Sequence, residues 1–218
     1  NNRVYIIGGT LENFPGQPYS TGSVYYSSIP NSGVIAGWTA GPSLPDGRRI
    51  SMGTTVKVGS KIYLLGGGTW TNGGDPVVTN NIFVSTINPD GSLSSWSYAN
   101  KTLPTPLIGH SAFESNGKII VIGGAVNSAL IATNLMYVSQ VDGVGNLGEW
   151  QTATLPFYAR SAMVAKVNGY IVHAGGYAGG FLSKVYYAKL DANGLPVDWT
   201  LSANSLPGVN CCTAMAVW

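Results

Sequence analysis

Charge is scarce in this chain of 218 residues. Asp, Glu, Lys and Arg make up 9% of it, against about a quarter of an average soluble domain. Eleven basic and nine acidic residues leave a net charge of +2, and the basic ones are too scattered to form the stripe that a nucleic-acid backbone selects. Long apolar runs are also lacking; the longest reach about five residues, so no direct membrane insertion is expected. Histidine occurs only as His110 and His173, with no cluster of carboxylates or thiolates beside either, so neither a metal site nor a cofactor is expected. The two cysteines, Cys211 and Cys212, are adjacent and cannot form an ordinary long-range bridge. No Met or signal peptide opens the chain, from which a mature or excised segment is expected. Low charge with abundant Gly, Ser, Thr and Asn reads as an extracellular or cell-surface protein.

What the chain does have is a repeat. Apolar strands end in Gly-Gly at RVYIIGG, KIYLLGG, KIIVIGG and GYIVHAGG, beginning at Gly8, Gly66, Gly123 and Gly175. Aromatic-rich segments follow at VYYSSI, IFVSTI, MYVSQV and VYYAKL, then the turns PNSG, NPDG, DGVG and DANG. A short strand closing on Trp38, Trp96, Trp150 or Trp199 comes next, always 14 residues after Val24, Ile82, Met136 or Val185. A Leu-Pro pair ends each unit at Pro45, Pro104, Pro156 and Pro207. Each unit thus holds four short strands rich in β-branched and aromatic residues, with no competing helical period. Four-stranded units at this period point to propeller blades.

The repeats fall at residues 1–47, 48–105, 106–157 and 158–207, within one domain spanning 1–218. From Pro104 to Gly123 and from Pro156 to Gly175 the separation is 19 residues. The 11 residues after Pro207, joined to the 8 that end at Gly8, restore the same separation. Residues 208–218 are therefore expected to complete the first blade, with the C-terminal strand beside the N-terminal one and no open edge left for aggregation.

YIIGG, YLLGG, IVIGG and VHAGG, the Tyr or Phe of the third strand and the Trp-to-Pro segment together resemble kelch repeats over essentially the whole chain. The resemblance implies an all-β propeller whose blades begin at a central axis, where Ser111, Ala112, Ser161, Ala162, Thr213 and Ala214 would suit crowding. Two features depart from that family. Four repeats stand where five to seven are usual, and the arginine after Leu-Pro survives clearly only as Arg160, with Arg48 and Arg49 near it in another repeat. Four blades closed into one ring is the expected form; part of a longer array, or two chains sharing strands, are the alternatives.

Trp38, Trp96, Trp150 and Trp199 recur at one phase, which reads as packing between blades. The Gly-Gly pairs end strands rather than opening helices, so close backbone approach explains them better than phosphate binding. Asp90, Asp142 and Asp191 sit in turns and bond their own backbone there. His173 reads as a core residue, and His110 as a residue near an axial strand within reach of a ligand. Cys211-Cys212 reads either as two small buried residues or as a vicinal disulfide. No paired carboxylates, and no nucleophile with an orienting base, can be read from the sequence.

The variable connections TLENFPGQPYSTG, GTWTNGGDPVVTN, AVNSALIAT and YAGGFLS should emerge on one rim with the blade links, where binding usually lives. They place Phe14, Tyr19, Trp70, Tyr177 and Phe181 on that rim, and the links add Arg48, Arg49, Tyr158 and Arg160. His110 completes the candidate ligand set. The expected function is non-enzymatic recognition, as an extracellular adhesion domain binding protein or glycan on a surface. Self-association as a filament subunit is one alternative. The other is an enzyme resembling galactose oxidase, whose copper site needs tyrosines and histidines together; neither histidine here lies in a matching motif.

Overall fold

Four antiparallel sheets carry the four repeats in chain order. The computed structural model describes residues 3–13, 17–30, 33–35, 37–70 and 75–212, with the backbone alone for 11–13 and 17–19. The first sheet pairs Arg3–Ile7, Val24–Ser28 and Thr39–Ala40. The second runs Thr54–Val58, Lys61–Leu65, Ile82–Thr86 and Ser97–Tyr98. The third runs Ser111–Ser115, Lys118–Ile122, Leu135–Gln140 and Gln151–Thr154. The fourth runs Met163–Val167, Tyr170–Ala174, Val185–Leu190 and Pro196–Leu201. No described helix is long and apolar enough to cross a membrane, which says nothing about crossing with strands.

The hairpins follow from turn chemistry. Asn116-Gly117 and Asn168-Gly169 join first and second strands with positive φ at both residues (50° and 72°, 48° and 79°), the geometry of the tight turn that matches strand twist. Asp90, Asp142 and Asp191 turn the chain before the fourth strand, as read. Asp142 Oδ1 accepts from the Val144 and Asn146 amides, and Asp191 Oδ1 from those of Asn193 and Leu195. These bonds hold the Asp142 carboxyl below its usual range, the Asn146 amide foremost.

Successive sheets pack face to face because alternate residues of each strand point to opposite neighbours. Val24, Leu44, Ile62, Leu64, Phe83 and Trp96 form the core between first and second sheets. Tyr63, Leu65, Ile119, Val121 and Tyr137 fill the space between second and third, and Ile120, Ile122, Phe157 and Ile171 that between third and fourth. Burying a side chain such as Phe83 stabilises the stack by roughly 2–3 kcal/mol. Leu44, Leu103 and Leu155 are 3% exposed or less, so the Leu of the first three Leu-Pro links anchors the passage to the next sheet, while Leu206 of the fourth is only half-buried.

The first strands of the second, third and fourth sheets lie side by side. Ser111–Ser115 sits between Thr54–Val58 and Met163–Val167, and the Thr54 hydroxyl donates to the His110 carbonyl at 2.6 Å. Just ahead of these strands a chain of backbone bonds runs from sheet to sheet. Gly109 N donates to Met52 O (2.9 Å), Ser161 N to Gly109 O (2.6 Å) and Cys212 N to Ser161 O (2.8 Å). All four residues are left-handed, with φ of 53°, 61°, 54° and 62°, so one unusual backbone conformation recurs at one phase of the repeat.

Several expectations change. The fourth strands of the first three sheets begin just after Trp38, Trp96 and Trp150 instead of ending on them; only Trp199 lies inside its strand. The two longest connections carry ribbons of their own, Thr10–Asn13 with Gln17–Ser20 and Gly68–Thr69 with Val77–Val78, because each has enough residues to pair with itself. Trp38 is 46% exposed where Trp96 is 5%, since no described residue packs over that side of the first sheet as the first sheet packs over Trp96. The proposed closing strand, including Thr213, Ala214 and Met215, lies outside the described residues, and the first sheet has three described strands.

Candidate functional site

On the rim where connections between second and third strands meet the links between sheets, a cleft of about 680 Å³ opens between the third and fourth sheets. Its floor is built from the Leu155-Pro156-Phe157 link. Leu155 is buried and fixes the link, which drives Phe157 between the sheets. The Phe157 ring stacks on Tyr186 at 4.3 Å, lies 4.5 Å from His173 and meets Trp199 edge-on at 5.3 Å. Tyr158, the next residue, is 58% exposed and forms part of the wall.

The opposite wall is the connection after Gly175-Gly176. Tyr177 and Arg160 exchange both backbone bonds, at 3.1 and 2.9 Å, and Leu182 N returns to Gly176 O at 2.9 Å. The loop is therefore held before any ligand arrives. The Arg160 guanidinium lies 4.6 Å from the centre of the Tyr177 ring, close enough for a cation–π contact. Phe181 meets the same ring edge-on at 5.5 Å. Lys184 and the backbones of Ala178 and Gly179 complete that side.

His173 is the buried polar group of the cleft. It is 2% exposed and its Nδ1 has no hydrogen-bond partner. Desolvation pushes its pKa down to about 4, so the ring is neutral near pH 7. The lining has one basic residue, Lys184, with Arg160 in contact with its Tyr177 ring, and no carboxylate, thiol or aliphatic hydroxyl among its described residues. Such a site offers flat aromatic faces, a cation and a neutral imidazole.

Of the residues chosen from the sequence, Tyr158, Arg160, Tyr177 and Phe181 come together here. Arg48 is elsewhere on the surface, its Nε donating to the Tyr98 hydroxyl at 3.2 Å, while that hydroxyl donates to Asp46. Arg49 is exposed and its carbonyl accepts from Thr69. Trp70 is tied through its backbone to Ser20, between the first two sheets. Phe14 lies outside the described residues, as does the side chain of Tyr19. His110 is a correction: it is 5% exposed with both ring nitrogens unpartnered, and burial pushes its pKa down to about 4. It packs against Gly66 and Gly124 in the interior and does not line the cleft. Cys211 and Cys212 stand at the end of the axial bond chain with their sulfurs 2.6 Å apart. The Cys211 thiol is pushed up chiefly by its hydrogen bond with Cys212.

Lys184, Tyr186 and Phe157 were missed. Lys184 could have been found, because it follows directly on the variable YAGGFLS connection. His173, read as a core residue, is buried as expected but carries a free nitrogen at the cleft.

No family model and no curated protein matches the chain. Among solved structures, that of YjhT aligns with 98% of this chain and 71% of its own, with a TM-score of 0.71 and 15% identity. At that identity the likeness speaks for the fold alone: an all-β, propeller-like stack of antiparallel sheets.

Proposed function

We propose that this chain is a non-enzymatic recognition module of kelch-like design, with four blades about one axis, that binds a glycan on an extracellular or cell-surface partner. The observation that carries this reading is the cleft between third and fourth sheets, lined by Tyr158, Tyr177 and Lys184, with Arg160 against the Tyr177 ring. Sugar rings present C–H faces that pack on aromatic faces, while their hydroxyls and any carboxylate take up hydrogen bonds and positive charge. The sparse charge of the whole chain supports a surface location, and protein is the alternative ligand class.

A glycan array followed by calorimetry on the best hit tests the reading. Tyr158→Ala and Tyr177→Ala are each expected to weaken binding at least about tenfold, with thermal stability of Tyr158→Ala unchanged because that ring is exposed. Unchanged affinity in both variants removes the cleft from consideration. A specific observation also favours association between copies: large apolar side chains stay exposed on the outer faces of the first and fourth sheets.

A further inference from the structure

Three internal interfaces of this protein are built from one set of positions. On the receiving side they use Leu64, Phe83, Leu93 and Trp96 of the second sheet, with Val121 and Tyr137 recurring at the same phase of the third. Tyr186 and Trp199 do the same for the fourth. The first sheet has Ile6, Tyr25, Ile35 and Trp38 at those positions, and they are 46%, 43%, 47% and 46% exposed. Its receiving face is thus the same surface with no sheet on it among the described residues.

The polar clasp of each interface tells the same story. In the internal interfaces the preceding sheet seats its Arg3 side chain against Gly91, Lys61 against Gly145, and Ser115 with Asn116 against Gly194. These glycines close turns of one geometry, with φ of 83°, 93° and 78°. Gly33 has it too, with φ 77° and its amide bonded to the Pro30 carbonyl at 2.8 Å. No described residue lies within 4 Å of the position a Cβ on Gly33 would take. Among the described residues the receiving surface is formed and open.

The matching donor face exists in the same chain. On the fourth sheet Tyr170 and Tyr187 stand where Lys61 and Val84 face the third sheet from the second, and they are 40% and 38% exposed. Their rings meet edge-on at 6.3 Å. Among the described residues no hydrogen bond joins the first sheet to the fourth.

We propose that the open face of the first sheet receives the fourth sheet of a second copy of this chain, reproducing the internal interface between molecules. The contact is head-to-tail: one copy offers Ile6, Tyr25 and Trp38, the other Tyr170 and Tyr187. The continuity of the repeat supplies both complementary surfaces, and this holds whether or not the cleft binds a glycan.

Sedimentation velocity tests it over roughly a hundredfold range of concentration. The native chain is expected to gain mass as concentration rises. Trp38→Glu disables only the receiving face and Tyr187→Glu only the donor face, so each variant alone is expected to be monomeric. An equimolar mixture retains one good face of each kind and is expected to form a dimer and nothing larger. Far-ultraviolet circular dichroism confirms folding, and Tyr25→Arg replaces Trp38→Glu if that variant unfolds. A native chain that stays monomeric overturns the proposal: with dye binding to apolar surface it points to further sheets of the same kind as the occupant, and without it to closure on the chain's own fourth sheet. Variants that associate like the native chain, or a mixture that gives no dimer, overturn it as well.

Discussion

Tyr63 donates its phenolic hydrogen bond to the carbonyl of Gly145, 82 residues away, at 2.7 Å. Tyr5 makes the corresponding bond to Gly91 at 2.9 Å. In the third sheet the equivalent residue is Ile120, which has nothing to donate, and Asn116 and Lys118 reach the Ala192 and Asn193 carbonyls of the fourth sheet instead. Side-chain clasps of this kind thus line the rim of short hairpins, whereas on the opposite rim successive repeats are joined through the backbone, as from Gly67 N to Leu107 O and Gly124 N to Ala159 O. That opposite rim also carries the connections of differing length, and the cleft lies there.

Tyr63→Phe should therefore destabilise the fold by about 1 kcal/mol, the net worth of one such bond, without touching the cleft. Urea unfolding compared with the native chain measures it. Burial, with the Asp142 charge second, pushes the Tyr63 hydroxyl up to about 12, so the bond should survive to strongly alkaline pH. A spectrophotometric titration should lose its last ionising tyrosine in this variant.

Stability should fall as pH drops from 7 to 5. His110 and His173 titrate near 4 in the folded chain because burial disfavours their charged forms, while an unfolded histidine titrates near 6.5. Between those values the unfolded chain holds protons that the folded chain does not. Stability is thus full above the unfolded value and is lost as pH falls toward the folded one. The ceiling is about 3 kcal/mol for each ring. His110→Leu should remove roughly half of the loss between pH 7 and 5, measured as urea midpoints; an unaltered loss would show that His110 does not contribute.

The repeat made the sheets legible. A fixed distance from Val24, Ile82, Met136 and Val185 to the four tryptophans fixes the phase of every blade, and alternation along strands fixes which residues face a neighbour. The cleft was half legible, because Tyr158, Arg160, Tyr177 and Phe181 lie in segments that the repeat marks as connections. Lys184 was within reach, next to the last of those connections, whereas Tyr186 was not, since it belongs to the strand Val185–Leu190 and only the packing of two sheets brings it to the same space. His110 was misplaced for a related reason: Gly66 and Gly124 leave room for an imidazole inside the stack, and a sequence does not display that room. Trp38 shows the limit of periodicity, which gives a residue its position but not the neighbour that covers it.

Gly66→Ala should be among the most damaging single-methyl changes. Its φ is 52° and a Cβ there would stand 2.6 Å from the Leu107 carbonyl oxygen, with His110 Cε1 at 3.0 Å. Left-handed strain alone costs about 1–2 kcal/mol, and the clash with backbone at least as much again. Gly169→Ala has positive φ but open space, so it should lose only the first amount. Thermal unfolding of the two variants separates strain from collision; equal losses would show that the Leu107 contact yields without cost.

Trp96 and Trp38 hold the same place in their repeats and should differ sharply when truncated. Trp96 is 5% exposed, packed with Leu64, Phe83 and Leu93 against the first sheet. Removing its ring leaves a cavity between two sheets, and Trp96→Ala is expected to cost about 3–5 kcal/mol. Trp38 is nearly half exposed, so in the monomer Trp38→Ala gives up roughly half as much buried surface, leaves no enclosed cavity and should cost about 1–2 kcal/mol. Denaturant unfolding at low protein concentration measures both. A large loss at Trp38 in a proven monomer would mean that a neighbour from the same chain already covers it, and the open face of the first sheet would have to be abandoned.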